Sequence, residues 1–217
     1  MQSETQQSAF YIADNKALDF LNSIAAPSGT NIEWLSSDLD LASWLLNAKL
    51  ITNKEYDQYK TKYAGPAEGD IASRARVLRE WFRQFIIDHA GKALPTLSMS
   101  DVKPINTLLS QDNHFLQIIN DSSQMDSEAI NSNELQLIKQ RRWDSQSDLL
   151  LPIAEVMADL ICNSDFEFIK NCEGPTCTLW FYDVSKNRSR RWCSMSVCGN
   201  RAKAAAHRAK LKQAKTH

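Results

Sequence analysis

The chain has 217 residues, 43% of them hydrophobic, with 25 basic and 26 acidic side chains and a net charge of −1. That length suffices for one domain of ordinary size and a smaller one, and the apolar fraction supports a packed core in the larger. The N-terminus, MQSETQQSAFYIADNKALDF, lacks the basic-then-apolar order of a secretory signal, and no window approaches the ~20 apolar residues of a membrane span, so no membrane partner and a cytoplasmic location are expected.

Residues 1–9 are polar and read as disordered, and Phe10 to Leu21 is an apolar stretch of no clear period, closed by Pro27-Ser28-Gly29. Ser37 or Asp38 caps a helix running to Ala48, with Leu41, Leu45 and Ala48 on one face. Thr52 and Glu55 have the spacing of a capping box that opens a helix to about Tyr63, broken by the Gly65-Pro66 and Gly69 cluster. The longest periodic helix spans about Asp70 to His89, burying Ile71, Ala75, Leu78, Phe82, Phe85 and Ile86. Arg76, Arg79 and Arg83 lie on another face, read as a solvated face ion-paired with Glu80, or alternatively as an anion contact. Gly91 and Pro95 end this helix.

Ser100 can cap a short helix to Leu109 with Pro104 in its first turn. His114–Ile119 and Leu135–Trp143 read as two strands joined by a polar loop, a unit too small to stand without packing on helices. A helix from about Asp148 to Asn163, with Pro152 in its first turn, buries Ile153, Val156, Met157, Leu160 and Ile161. Cys162 on that helix reads as a buried core thiol. Phe166 to Lys170 then leads into the segment that carries most of the chemistry.

Four of the five cysteines fall there as two equally spaced pairs, Cys172 with Cys177 and Cys193 with Cys198. Two pairs, each on a short turn, supply four soft ligands at tetrahedral positions, the requirement of Zn²⁺, and thiols in a reducing compartment bind metal more readily than they pair. With four thiolates the coordination sphere is closed, so the ion is structural and stabilises a module with few apolar residues of its own; iron in the same ligand set is the lesser alternative. Gly174-Pro175 forms the first turn. Leu179–Asp183 reads as a strand, and Ser185–Arg188 as a turn leading back into a second strand through Ser189–Trp192. The Ala-, Lys- and Arg-rich tail after Gly199 is helical in composition, with Cys198 in or near its first turn. The order of turn, hairpin and ligand-bearing helix is that of a treble-clef zinc finger.

Charge is unevenly placed. No acidic side chain follows Asp183, whereas ten basic ones do. Such segregation points to a polyanion, and Arg188, Arg190, Arg191, Arg201, Lys203 and Arg208 are the candidate phosphate contacts. A solvated tail that binds nothing is the plainer reading. Arg201 has a further alternative, offsetting thiolate charge or bonding to sulfur. Trp180, Phe181 and Trp192 could stack on bases, but in so small a module they first form its core. No Gly-rich phosphate loop, G-x-S-x-G or H-E-x-x-H is present, and the four histidines are scattered, so no enzyme is expected.

At Cys198-Gly199-Asn200-Arg201, with Phe181, Asp183, the run Ser189–Met195 and Lys203, the chain resembles the CGNR-type zinc finger family. Its usual partner is an N-terminal ABATE domain, which Ala17–Asn22 and Asp40–Leu45 resemble more loosely. Val184-Ser185-Lys186-Asn187 departs mildly from the family run and touches no ligand. The resemblance implies a stress-induced transcriptional regulator. The expected fold class is thus α+β: an α-rich N-terminal domain with a small β-hairpin over 1–168, and a treble-clef zinc finger ending in a basic helix over 169–217. The expected function is DNA binding through that surface, with RNA binding, or docking on an acidic protein of the transcription machinery, as alternatives. A small-molecule effector or protein partner is expected at the N-terminal domain.

Overall fold

The computed structural model describes residues 8–26, 30–63, 70–120 and 135–214. The expectations for residues 1–7, Pro27–Gly29, the 64–69 break, the 121–134 loop and Lys215 lie outside these. About half of the chain is helical, and the described residues form three small antiparallel sheets.

Helix α1 (Lys16–Leu21) lies at the centre, and its sequence had no readable period because nearly every side of it is covered. Ala17, Leu18, Phe20 and Leu21 are fully buried, and the helix packs on α4, α6 and β6, defined below. The Asn15 side chain accepts from the N–H groups of Ala17 and Leu18 at 2.9 and 3.2 Å, which starts the helix in a stretch otherwise neutral between strand and helix. Strands β1 (Ile24–Ala25) and β2 (Ile32–Glu33) form a two-residue ladder. Helices α2 (Asp38–Asn47) and α3 (Asn53–Lys62) open on capping boxes, Ser37 with Asp40 and Thr52 with Glu55.

Helix α4 (Ile71–His89) is capped by Asp70 and buries the expected stripe. Its arginine face is no solvated surface. Arg79 is only 2% exposed, bonded at 2.9 and 2.5 Å to both oxygens of Glu33, at 2.8 Å to Ser23 Oγ and at 3.2 Å to Glu80. Arg76 donates to Leu35 O, and Arg83 to Leu21 O and Glu80. These guanidiniums stitch α4 to the α1–β2 layer, because each buried donor needs a partner once water is excluded.

Helix α5 (Lys103–Leu109) begins later than Ser100, which with Ser98 and Asp101 forms a separate turn; Pro104 stands in its first turn. Strands β3 (His114–Asn120) and β4 (Leu135–Arg141) pair with Ile118 opposite Leu137. A 3₁₀ turn, Gln146–Leu150, leads into α6 (Leu151–Asn163), which buries Ile153, Met157 and Leu160. Cys162 is exposed, against expectation: two residues past Leu160 is about 200° around the helix, so it faces outward.

Strands β5 (Ile169–Asn171) and β6 (Trp180–Tyr182) pair across the first cysteine turn, with Lys170 opposite Phe181. This corrects the expected hairpin: the partner of β6 precedes the first cysteine pair, and residues 189–192 form no strand. Helix α7 (Asn200–Ala214) ends the described chain. One apolar cluster runs from Ala13 through α1, α4 and α6 to Phe181 and the four paired cysteines. The two parts share their core.

Candidate metal centre and basic helix

The first ligand pair sits in the turn of the β5–β6 hairpin. Cys172 N–H donates to Leu179 O and Cys177 N–H to Gly174 O, at 2.9 and 3.0 Å, so the turn folds both side chains to one side. A Cβ on Gly174 would stand 3.0 Å from Cys177 Cβ and 3.2 Å from Cys198 Sγ, so a larger residue there would crowd the sulfur cluster. The second pair stands just before and within a wide π turn, Met195–Gly199, which passes directly into α7. A Cβ on Gly199 would meet Met195 Sδ at 2.8 Å, the end of an exposed side chain that can swing aside.

All four sulfurs are buried and lie within 4.8 Å of one another, Cys193 Sγ being 3.7 Å from both Cys177 Sγ and Cys198 Sγ. Sulfurs about 2.3 Å from a tetrahedral zinc are about 3.8 Å apart, so the cage has the dimensions of that ion. Cys193 N–H reaches Cys172 Sγ at 3.3 Å, a donor that favours thiolate. The hydrogen bond from Cys193 brings the Cys177 thiol down to about 5. That same bond pushes Cys193 up, and burial pushes Cys198 up to about 11. Four crowded thiols resist sharing more negative charge until a cation offsets it, and the donor set therefore fits a metal ion.

Asp183, the last acidic residue of the chain, organises the loop between β6 and the second pair. Its buried carboxylate accepts from Ser185 N–H and Oγ–H at 2.9 and 2.6 Å, from Arg190 N–H at 2.9 Å and from Lys170 Nζ at 2.7 Å. Burial alone would raise its pKa, but these four donors outweigh it and hold the carboxyl at about 2. A lone acid ahead of ten cations was the readable signal for this role, and sequence reasoning named Asp183 without assigning it one.

The candidate phosphate contacts divide into two groups. Arg188, with φ of 50°, stacks 4.2 Å over Phe168 and donates to Asp183 O. Arg190 lies 4.3 Å over Phe181, donates to Ile12 O, Trp192 O and Cys193 O at 3.0, 2.9 and 2.5 Å, and pairs with Asp14. Both guanidiniums are engaged inside the protein. Arg191 is 63% exposed and pairs with Glu173 at 2.5 Å. Arg201, Lys203 and Arg208 are exposed on α7. Phe181 is fully buried and Trp180 and Trp192 half-buried, which leaves little ring face for base stacking.

Sequence reasoning also missed how the hairpin is held. Asn22 Nδ2 donates to Trp180 O at 2.8 Å while its Oδ1 accepts from Trp180 N–H at 2.9 Å, and Tyr182 N–H donates to Ala13 O at 2.7 Å. The α1 region thereby completes the free edge of β6. Elsewhere, Asp112, His114 and Glu155 approach one another, but Arg141 bonds both carboxylates at 2.8 Å and supplies the cation itself. Among the described residues no helix is long and apolar enough to cross a membrane.

Fold and site together define a helical α+β domain joined to a four-cysteine zinc finger with a C-terminal helix. The chain belongs to the ABATE family, described as "Putative stress-induced transcription regulator", whose profile matches residues 14–164. Residues 169–210 match the CGNR zinc finger. No curated protein matches the chain.

Proposed function

We propose that the chain is a cytoplasmic, non-catalytic regulator that binds duplex DNA through α7, with one zinc ion held by Cys172, Cys177, Cys193 and Cys198. The observation that carries this reading is the seating of α7 on the four-sulfur cluster with Arg201, Lys203 and Arg208 all exposed, in a segment that has no acid after Asp183. Zinc closes the cage and supplies no open position for substrate, so its part is to fix where α7 leaves the body. A helix of 15 residues spans about 22 Å, enough to cross a major groove about 12 Å wide. Arg188 and Arg190 leave the set of phosphate contacts in this reading and become supports of the loop. Arg191 stays a contact only where phosphate outcompetes Glu173. The half-buried aromatic rings favour DNA over RNA. An effector or protein segment has a groove of about 1250 Å³ between α3 and the β3–β4 hairpin, lined by Tyr59, Phe115, Ile138 and Trp143.

The test is fluorescence anisotropy of a labelled duplex titrated with the full chain at several salt concentrations. Log affinity should fall against log salt with a slope of roughly −0.9 per phosphate contact, and Lys203→Ala with Arg208→Ala should flatten it by about 2. Binding that ignores salt, or a double variant identical to the parent, would overturn the proposal.

A further inference from the structure

Helix α7 is unlike the other long helices of the chain. Helices α4 and α6 each bury a stripe of side chains in the shared core. From Lys203 to Ala209 every side chain of α7 is exposed, and that run makes nearly two turns, so no face of the helix is covered there. No described residue of α7 belongs to the apolar cluster, and the element it chiefly packs on is the π turn Met195–Gly199 that it continues. Helices in proteins take most of their stability from packing one face, and a lone helix of about this length is marginal in water even when rich in alanine. Charge weakens α7 further. Its charged residues are all basic, so no i,i+4 ion pair can form along it to offset their repulsion. Its six alanines nevertheless suit a helix once those charges are neutralised.

We infer that α7 frays beyond Lys203 in the free chain and is completed by the duplex it binds. The inference rests on the DNA-binding reading above and adds a folding step to it. Cys198 and Gly199 are buried and anchor the start of the helix; beyond them only an external surface can hold the rest. Duplex DNA has the chemistry to do so. Its phosphates neutralise Lys203 and Arg208 and remove the repulsion, and its groove covers a face that water otherwise covers. The ordering step lowers affinity for a given set of contacts, while the salt dependence, which those contacts set, stays in place.

Amide hydrogen exchange of the full chain, read by mass spectrometry with and without a mixed-sequence duplex, tests it. In the free chain the amides from Lys203 to Ala214 should exchange within about tenfold of the unstructured rate, while those of α4 and α6 stay protected. In the complex the α7 amides should slow by on the order of 100-fold. Ala205→Gly with Ala206→Gly, at two exposed positions that carry no charge, should weaken duplex binding about tenfold. Its melting temperature and its slope of log affinity against log salt should stay those of the parent, because no packing and no cation is removed. Protected α7 amides in the free chain, amides that fail to slow in the complex, or a glycine variant of parental affinity would overturn the inference and leave DNA binding standing. A lowered melting temperature would show α7 held by the chain itself and overturns it too. A chain that does not bind the duplex overturns both readings.

Discussion

Two buried carboxylates work in opposite directions, and pH separates them. Asp19 is 8% exposed, and although it accepts the Ala13 N–H at 3.0 Å, burial raises its pKa to about 6. Its ionised form is disfavoured in the folded state, so its cost is absent below pH ~4, grows as pH rises through that range, and is complete above pH ~6. Asp19→Asn should therefore stabilise the chain by about 2 kcal/mol at pH 7 and leave stability near pH 4 unchanged, measured by urea unfolding at both. Asp183 has the reverse sign. Its folded pKa of about 2 lies below the ordinary 3.8, so the stability it contributes is present above pH ~4 and is lost as pH falls toward 2. Asp183→Asn should cost about 2 kcal/mol at pH 7, with the gap to the parent closing in acid. An equal cost at all pH values would assign Asp183 a packing role only.

At the scale of elements, the loop from Asp183 to Cys193 separates cations that build from cations that reach out. Arg190 binds three carbonyls and Asp14 and covers Phe181, so Arg190→Ala should lower stability by about 2 kcal/mol, roughly 5 °C in melting temperature. Lys203→Ala should leave melting unchanged, because Lys203 stands in water. Calorimetry of the two variants decides between these roles. What was legible in the sequence follows the same division between local and distant causes. The Ser37 cap of α2, the capping box of α3, the α4 stripe and the cysteine spacing are written in residues three to five apart, and they stand where expected. The partner of β6, the six-residue α1 and the burial of Arg79 depend on what arrives from elsewhere in the chain, and local pattern carries no trace of it. For the cations the sequence supplied the charge, but only the fold shows that Arg188 and Arg190 face carbonyls and rings.

At the scale of the whole molecule, the family profiles divide the chain near residue 165, yet the apolar cluster does not divide there. Phe181 and the four cysteines belong to the same apolar cluster as α1, which packs on β6, and Asn22 and Ala13 supply the missing edge of β6. A change at the sulfur cage therefore bears on the larger domain as well as on α7. In the proposed reading, a metal ion held by the four thiols keeps this arrangement together. The most direct check is native mass spectrometry of the purified full chain. One zinc ion per chain is expected, lost together with the compact charge-state distribution when a chelator removes it or when Cys177→Ala opens the cage. A compact, fully folded chain whose mass contains no metal would contradict the four-thiolate clamp and the basic helix seated on it.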